Sequence, residues 1–166
     1  MKVGMNFRNL IKTLVRIVGK QHVIYRPEDL LVYEYDGSID RGLPQVVVLP
    51  NSVDEVSEIV ALAYREGVPI VPRGAGTGLS GGSIVPDQNG VQLVLSRMRR
   101  ILKIDPIDQL ALVEPGVVNL DLSESLRKHG LYYAPDPSSQ KACTIGGNVA
   151  ENAGGPHCLR YGVTTN

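Results

Sequence analysis

PQVVVLPNSVDEVSEIVALAYREGVPIVPRG, residues 44–74, reads as strand, helix and strand. The apolar, β-branched run at 44–50 is closed by proline at both ends, the mark of a buried strand. Ser52 followed by Glu55 makes a capping box, and Val53, Val56, Ile59, Val60 and Ala63 then recur at helical spacing. Gly67 supplies the left-handed stop, and VPIVP at 68–72 is the second strand. A strand–helix–strand unit of about thirty residues crosses over right-handed and leaves its two strands parallel.

Downstream, 90–98 is a third strand, while 100–105 and 109–116 form an antiparallel hairpin turning at Asp105-Pro106. Asn119 is expected to cap a helix over 120–129, with Leu122 and Leu126 inward, His129 as a favourable end charge and Gly130 as the stop. After 131–139 the chain is expected to run on as a glycine-, asparagine- and threonine-rich segment without a closing strand. Upstream, Phe7, Leu10, Ile11, Leu14, Val15 and Val18 share one helical face and Arg8, Lys12 and Arg16 another. An amphipathic helix ending near Gly19 accounts for this basic segment better than a transit peptide or a membrane-surface helix does.

Composition sets the outer bounds. The 166 residues, 43% of them hydrophobic, suffice for one ordinary domain with a real core. Seventeen basic residues balance seventeen acidic ones, so no global field attracts nucleic acid or an anionic membrane. No apolar run approaches the roughly 18 residues of a membrane span, which predicts a soluble protein. Cys143 and Cys158 are the only cysteines, with no C-x-x-C pair and no histidine set at metal-ligand spacing, so no metal site is expected and a reduced, cytoplasmic setting is. Both thiols read as packing residues rather than as nucleophiles or a disulfide. Of the 18 glycines, ten fall in two stretches, 74–82 and 146–162.

The first stretch, PRGAGTGLSGG at 72–82, places Gly76, Gly78 and Gly81 at G-x-G-x-x-G spacing. A nicotinamide site would need a helix next, and Gly82, Ser83, Ile84, Val85, Pro86 and Asp87 cannot build one. The following strand also lacks the acidic residue for a ribose, and no Lys-Ser/Thr pair completes a Walker loop. What remains is a backbone nest, with Thr77 and Ser80 as hydroxyl donors and Arg73 placed either at the ligand or in a structural ion pair. The plainer alternative, a tight turn needing positive φ, requires fewer than five glycines. In the second stretch Gly146–Gly147 and Gly154–Gly155 stand among small polar residues. Ser138, Thr144, Asn148 and Asn152 could donate to a planar polar ligand lying against bare backbone. Two such clamps suit a long ligand, such as a dinucleotide.

The strings PRGAGTGLSGG, VEPGV, PDPSS, TIGGNVAENAGG and HCLRYGVT, in this order, resemble the FAD-binding domain of the vanillyl-alcohol oxidase type. They are most similar to its glycolate oxidase and D-lactate dehydrogenase branch; VYEYDGS at 32–38 and the stretch at 44–60 fit the same pattern. The resemblance implies an α+β fold of two α/β subdomains with FAD held between them. The first, 1–98, would carry a small parallel sheet; the second, 99–166, would be mainly antiparallel and incomplete. It implies that Arg73, Gly74, Ala75, Gly76, Thr77, Gly78, Ser80 and Gly81 wrap the pyrophosphate and that Pro135 and Ser138 lie along the cofactor. Thr144, Gly146, Gly147 and Asn148 would approach it again, with Asn152 beside them, and Gly155, Tyr161, Gly162 and Thr164 would lie near the flavin.

The glycine loop has no histidine for a covalent flavin link, so noncovalent FAD is expected. The implied reaction is oxidation of a small 2-hydroxy acid, with hydride passing from its α-carbon to FAD and electrons going on to a separate acceptor, such as a partner subunit. The family's substrate domain follows the FAD domain, so this chain is expected to be an N-terminal fragment, and it offers no nameable catalytic base. His157 reads as a packed or solvent-bonded loop histidine rather than as a substrate contact. Two other readings remain: a truncated remnant that folds without retaining FAD, and the nicotinamide domain already disfavoured by its missing helix and acid.

Overall fold

The computed structural model describes residues 6–86 and 89–164; Asp87, invoked above in the argument against a helix, and the first five residues lie outside them. The chain divides into two units: Met1–Arg73 with Gly78–Arg97, and Gly74–Thr77 with Met98–Asn166.

In the first unit, α1 (Phe7–Val18) begins where the Asn6 side chain accepts from the Arg8 amide and ends at Gly19, φ 88°. It buries Leu10, Leu14 and Val18, the apolar face read from the sequence. β1 (Val23–Ile24), which periodicity did not reveal, pairs antiparallel with β2 (Val46–Val48). A single turn, α2 (Pro27–Leu30), opens on proline, whose fixed φ suits the first helical position. α3 (Val53–Glu66) starts on the Ser52 hydroxyl, which accepts from the Glu55 amide at 3.2 Å, and stops at left-handed Gly67. The Glu55 carboxylate reaches the Asn51 amide at 2.6 Å, one residue before the cap.

β3 (Ile70–Arg73) and β4 (Val91–Val94) complete a sheet of order β1-β2-β4-β3. β2 and β3 each run parallel to β4, which lies between them, so the strands flanking α3 are not hydrogen-bonded to each other. The sheet is thus mixed: three parallel strands and one antiparallel edge. Val46, Val48 and Val91 are fully buried and pack with Leu10, Leu14, Ile59 and Leu62. At roughly 1.5–3 kcal/mol for each buried aliphatic side chain, this cluster is the unit's main source of stability.

The second unit is built on the expected hairpin, β5 (Ile101–Asp105) and β6 (Leu110–Val113). α4 (Asn119–Leu126) continues as a 3-10 turn over Arg127–His129 to Gly130, φ 69°. Asn119 is not its cap. Val118 occupies that position, and the Asn119 side chain is buried, donating to the Pro135 carbonyl at 2.8 Å. Val117, Leu122 and Leu126 form the core against Ile101, Ile104 and Val113. The segment expected to be irregular contains two short helices, α5 (Ile145–Ala150) and α6 (Cys158–Tyr161). Thr144 overcomes the low helix propensity of Gly146 and Gly147 by capping α5, its hydroxyl accepting from the Gly147 amide at 3.3 Å.

Candidate functional site

The loop leaving β3 is the centre of the site. Among the described residues, the backbone N–H groups of residues 75–80 have no protein hydrogen-bond partner, and the first closing bond after them is Ile84 N–H to the Gly81 carbonyl at 3.0 Å. Six consecutive free amides in a glycine-rich stretch can converge on an anion. Gly76 and Gly81 hold φ of 70° and 73°, turns that glycine adopts without strain. No α-helix follows in 74–86, so these amides do not belong to a helix terminus. Ala75 and Ser80 are exposed, while Thr77 and Gly78 are half-buried. Gly74 faces the Thr144 hydroxyl so closely that a methyl group there would collide with it.

The side-chain partners of Arg73 lie outside residues 74–82. Its guanidinium is buried, donates to the Tyr35 carbonyl at 2.8 Å and lies 5.9 Å from the Tyr33 ring centre. Burial lowers its pKa, and the nearby Asp36 carboxylate opposes that. Burial would in turn raise the Asp36 carboxyl, but bonds from Ser38 and Ser83 hold it below the usual carboxylate range. Within the protein its contacts run through a carbonyl and a hydroxyl rather than through a direct ion pair.

In the second unit the glycines of 146–155 serve close packing. A methyl group on Gly146 would strike Pro115, and one on Gly155 would strike the Asp136 carbonyl. Asn148 is buried, with its Nδ2 near the Cys143 sulfur but without a well-formed bond. Burial raises the Cys143 thiol, which disfavours the reactive thiolate. Pro135 accepts from Asn119, Ser138 is exposed, and Asn152 is exposed with φ 50°. Thr164 closes the far end of the segment, its hydroxyl and amide both donating to the Ala153 carbonyl at 2.7 and 2.8 Å. Tyr161 and Gly162 are exposed.

His157 has a partner that the sequence did not indicate. Its Nδ1 lies 2.5 Å from Asp136 Oδ2 and its amide donates to Asp136 Oδ1 at 3.3 Å. Burial would raise the Asp136 carboxyl, but these bonds hold it low. The pair ties the 135–138 segment to the 153–164 segment, two stretches that the sequence reading assigned to one ligand. A proline-flanked aspartate and a histidine 21 residues apart gave no signal of contact.

Among the described residues no group of histidine, cysteine and carboxylate side chains could hold a metal, and no helix is long and apolar enough to cross a membrane. Along the 74–82 loop the free amides and the left-handed Gly76 and Gly81 suit a diphosphate, and in the second unit the buried Asn148 Nδ2 is a donor without a partner; FAD carries groups of both kinds.

The sequence profile of the FAD binding domain family matches residues 44–166. Glycolate oxidase subunit GlcD of Escherichia coli K12 is 51% identical over 159 residues, covering 92% of this chain and 32% of that protein. A D-lactate dehydrogenase of Anaerostipes hadrus is 41% identical over 124 residues, 75% of this chain and 26% of its own length. Among solved structures, a 4-ethylphenol oxidase from Gulosibacter chungangensis superposes with TM-score 0.75 at 28% identity, over 89% of this chain and 29% of its own. An alkyldihydroxyacetonephosphate synthase reaches 0.84 at 23% identity over 98% of this chain and 32% of its own, a likeness of fold alone. The chain therefore spans about a third of the length of the curated relatives it matches.

Proposed function

The chain belongs to the FAD binding domain family, and we propose that it is the noncovalent FAD-holding portion of a flavin-dependent 2-hydroxy-acid oxidoreductase of the glycolate or D-lactate type. The run of unpaired amides at 75–80 carries this reading, because it supplies donors for a diphosphate without a helix or a lysine. Thr77 and Ser80 add hydroxyl donors at the same loop. In the second unit we assign Thr144, Asn148 and the Pro135–Ser138 segment to cofactor binding as well. Bound FAD supplies the acceptor for the hydride from the α-carbon of the substrate.

This chain's own residues bind and orient. We name no catalytic base among them, and we assign substrate recognition to a domain beyond the two subdomains, 1–98 and 99–166. Electrons would pass to a separate partner, and the setting would be cytoplasmic.

The test is retention of cofactor. Purified with added FAD and desalted, the chain should stay yellow, with flavin absorbance in stoichiometric amount, and glycolate or D-lactate should not bleach it. A colourless protein that gives no heat with FAD in calorimetry would instead favour a remnant that folds without binding it.

A further inference from the structure

Both ends of the 74–82 loop are fastened to one buried polar chain in the first unit. Arg73, the last residue before the loop, is 8% exposed, and Asp36 is 9% exposed. Arg73 Nη1 donates to the Tyr35 carbonyl and also reaches Ser83 Oγ, just after the loop, at 3.5 Å. Ser83 Oγ in turn donates a hydrogen bond to Asp36 Oδ2 at 3.1 Å. A serine hydroxyl has one donor and two acceptor positions, so it can take the guanidinium bond and give the carboxylate bond together. The Ser83 carbonyl is held in turn by the fully buried Gln92 side chain at 2.6 Å, and Asp36 Oδ1 accepts from the Ser38 amide at 2.8 Å.

The same stretch, 35–42, backs the loop elsewhere. A methyl group on Gly81 would meet the Asp40 carboxylate, and one on Gly42 would meet the Val85 carbonyl. A nest of unpaired amides has no internal bonds to keep its shape, so its curvature depends on where its two ends are pinned. Pinning them beforehand lowers the ordering cost that a ligand must overcome.

We propose that the Arg73–Ser83–Asp36 relay is a positioning device for cofactor binding: it sets the separation of the loop ends and so holds the 75–80 amides in the shape that takes a diphosphate. The relay does not touch the cofactor. This rests on the reading of the loop as the FAD diphosphate site.

Titration of the 166-residue chain with FAD, followed by flavin fluorescence, tests it in wild type, Ser83→Ala, Ser83→Thr and Asp36→Asn. Circular dichroism of each apoprotein reports its fold. The expected result is about tenfold or more weaker binding for Ser83→Ala and Asp36→Asn, each with wild-type apoprotein spectra, and recovery to within about threefold of wild type by Ser83→Thr. Wild-type affinity in both Ser83→Ala and Asp36→Asn overturns the proposal while leaving the diphosphate site standing, the more so if Arg73→Lys alone weakens binding, which would make the guanidinium a ligand. Equal losses in Ser83→Thr and Ser83→Ala also overturn it, since the hydroxyl is then not the cause. Should Asp36→Asn unfold, the Ser83 pair decides. A wild-type chain that takes up no FAD removes the underlying reading itself, an outcome separate from all of these.

Discussion

Gly155 shows how packing can constrain a residue in a ligand-type motif. Its missing side chain leaves room for the Asp136 carbonyl, which an added methyl would approach to an impossible distance, and that carbonyl is backbone. Gly155→Ala should therefore destabilise the chain by about 1–3 kcal/mol, read as a lower urea midpoint at unchanged slope. Glu114 makes a different prediction. Its carboxylate accepts from the Arg100 amide, Nε and Nη2 at 2.7, 2.9 and 2.6 Å, and those bonds hold its pKa below the usual value. A carboxyl lower in the folded state than in the unfolded one stabilises above the unfolded value, near pH 4, and loses that stabilisation as pH falls through the folded one. Urea midpoints measured from pH 6 down to pH 3 should fall less steeply in Glu114→Gln than in wild type.

At the scale of elements, legibility followed the range of the forces involved. α3 could be read to its ends because Ser52, Glu55 and Gly67 act within one turn of where they stand, and the β5–β6 hairpin because its turn residues are local too. β1 escaped notice because two residues carry no period, and its existence depends on pairing with the side of β2 that β4 leaves open. Asn119 misled because a good capping residue was drawn inward by the Pro135 carbonyl. The first glycine loop was legible because its neighbours ruled out a helix. The contacts of Arg73 were not, because Tyr35 and Asp36 stand nearly forty residues away in the chain. α5 was equally hidden: its six residues contain Gly146 and Gly147, and its start is held by the buried Thr144 cap and by bonds to the distant Pro115 and Val117 carbonyls. Thr144→Ala should cost about 1 kcal/mol of stability in urea unfolding, whereas Ser52→Ala, at the end of a long and well-packed helix, should cost a similar amount without reducing FAD affinity.

At the scale of the molecule, charge decides what kind of binding to expect. Seventeen cations balance seventeen anions, so no long-range field gathers an anionic cofactor, and the guanidinium of Arg73, which adjoins the loop in sequence, donates to Tyr35 and Ser83. Attraction for a diphosphate must come from amide dipoles at short range, which salt screens weakly compared with exposed charges. Raising sodium chloride from about 50 to 500 mM should then change FAD affinity by less than about threefold, far less than a site built on surface lysines would show. The same binding must appear as stability, because a ligand that binds only the folded chain stabilises it by RT ln(1 + [L]/Kd). With free FAD at about a hundred times Kd the gain is about 2.7 kcal/mol, which for a chain of this length raises the melting temperature by roughly 5–10 °C. Scanning fluorimetry across a series of FAD concentrations should show that rise growing with the logarithm of free FAD at both salt concentrations. A melting temperature flat in FAD would mean that the amide run at 75–80 does not hold the cofactor in this chain.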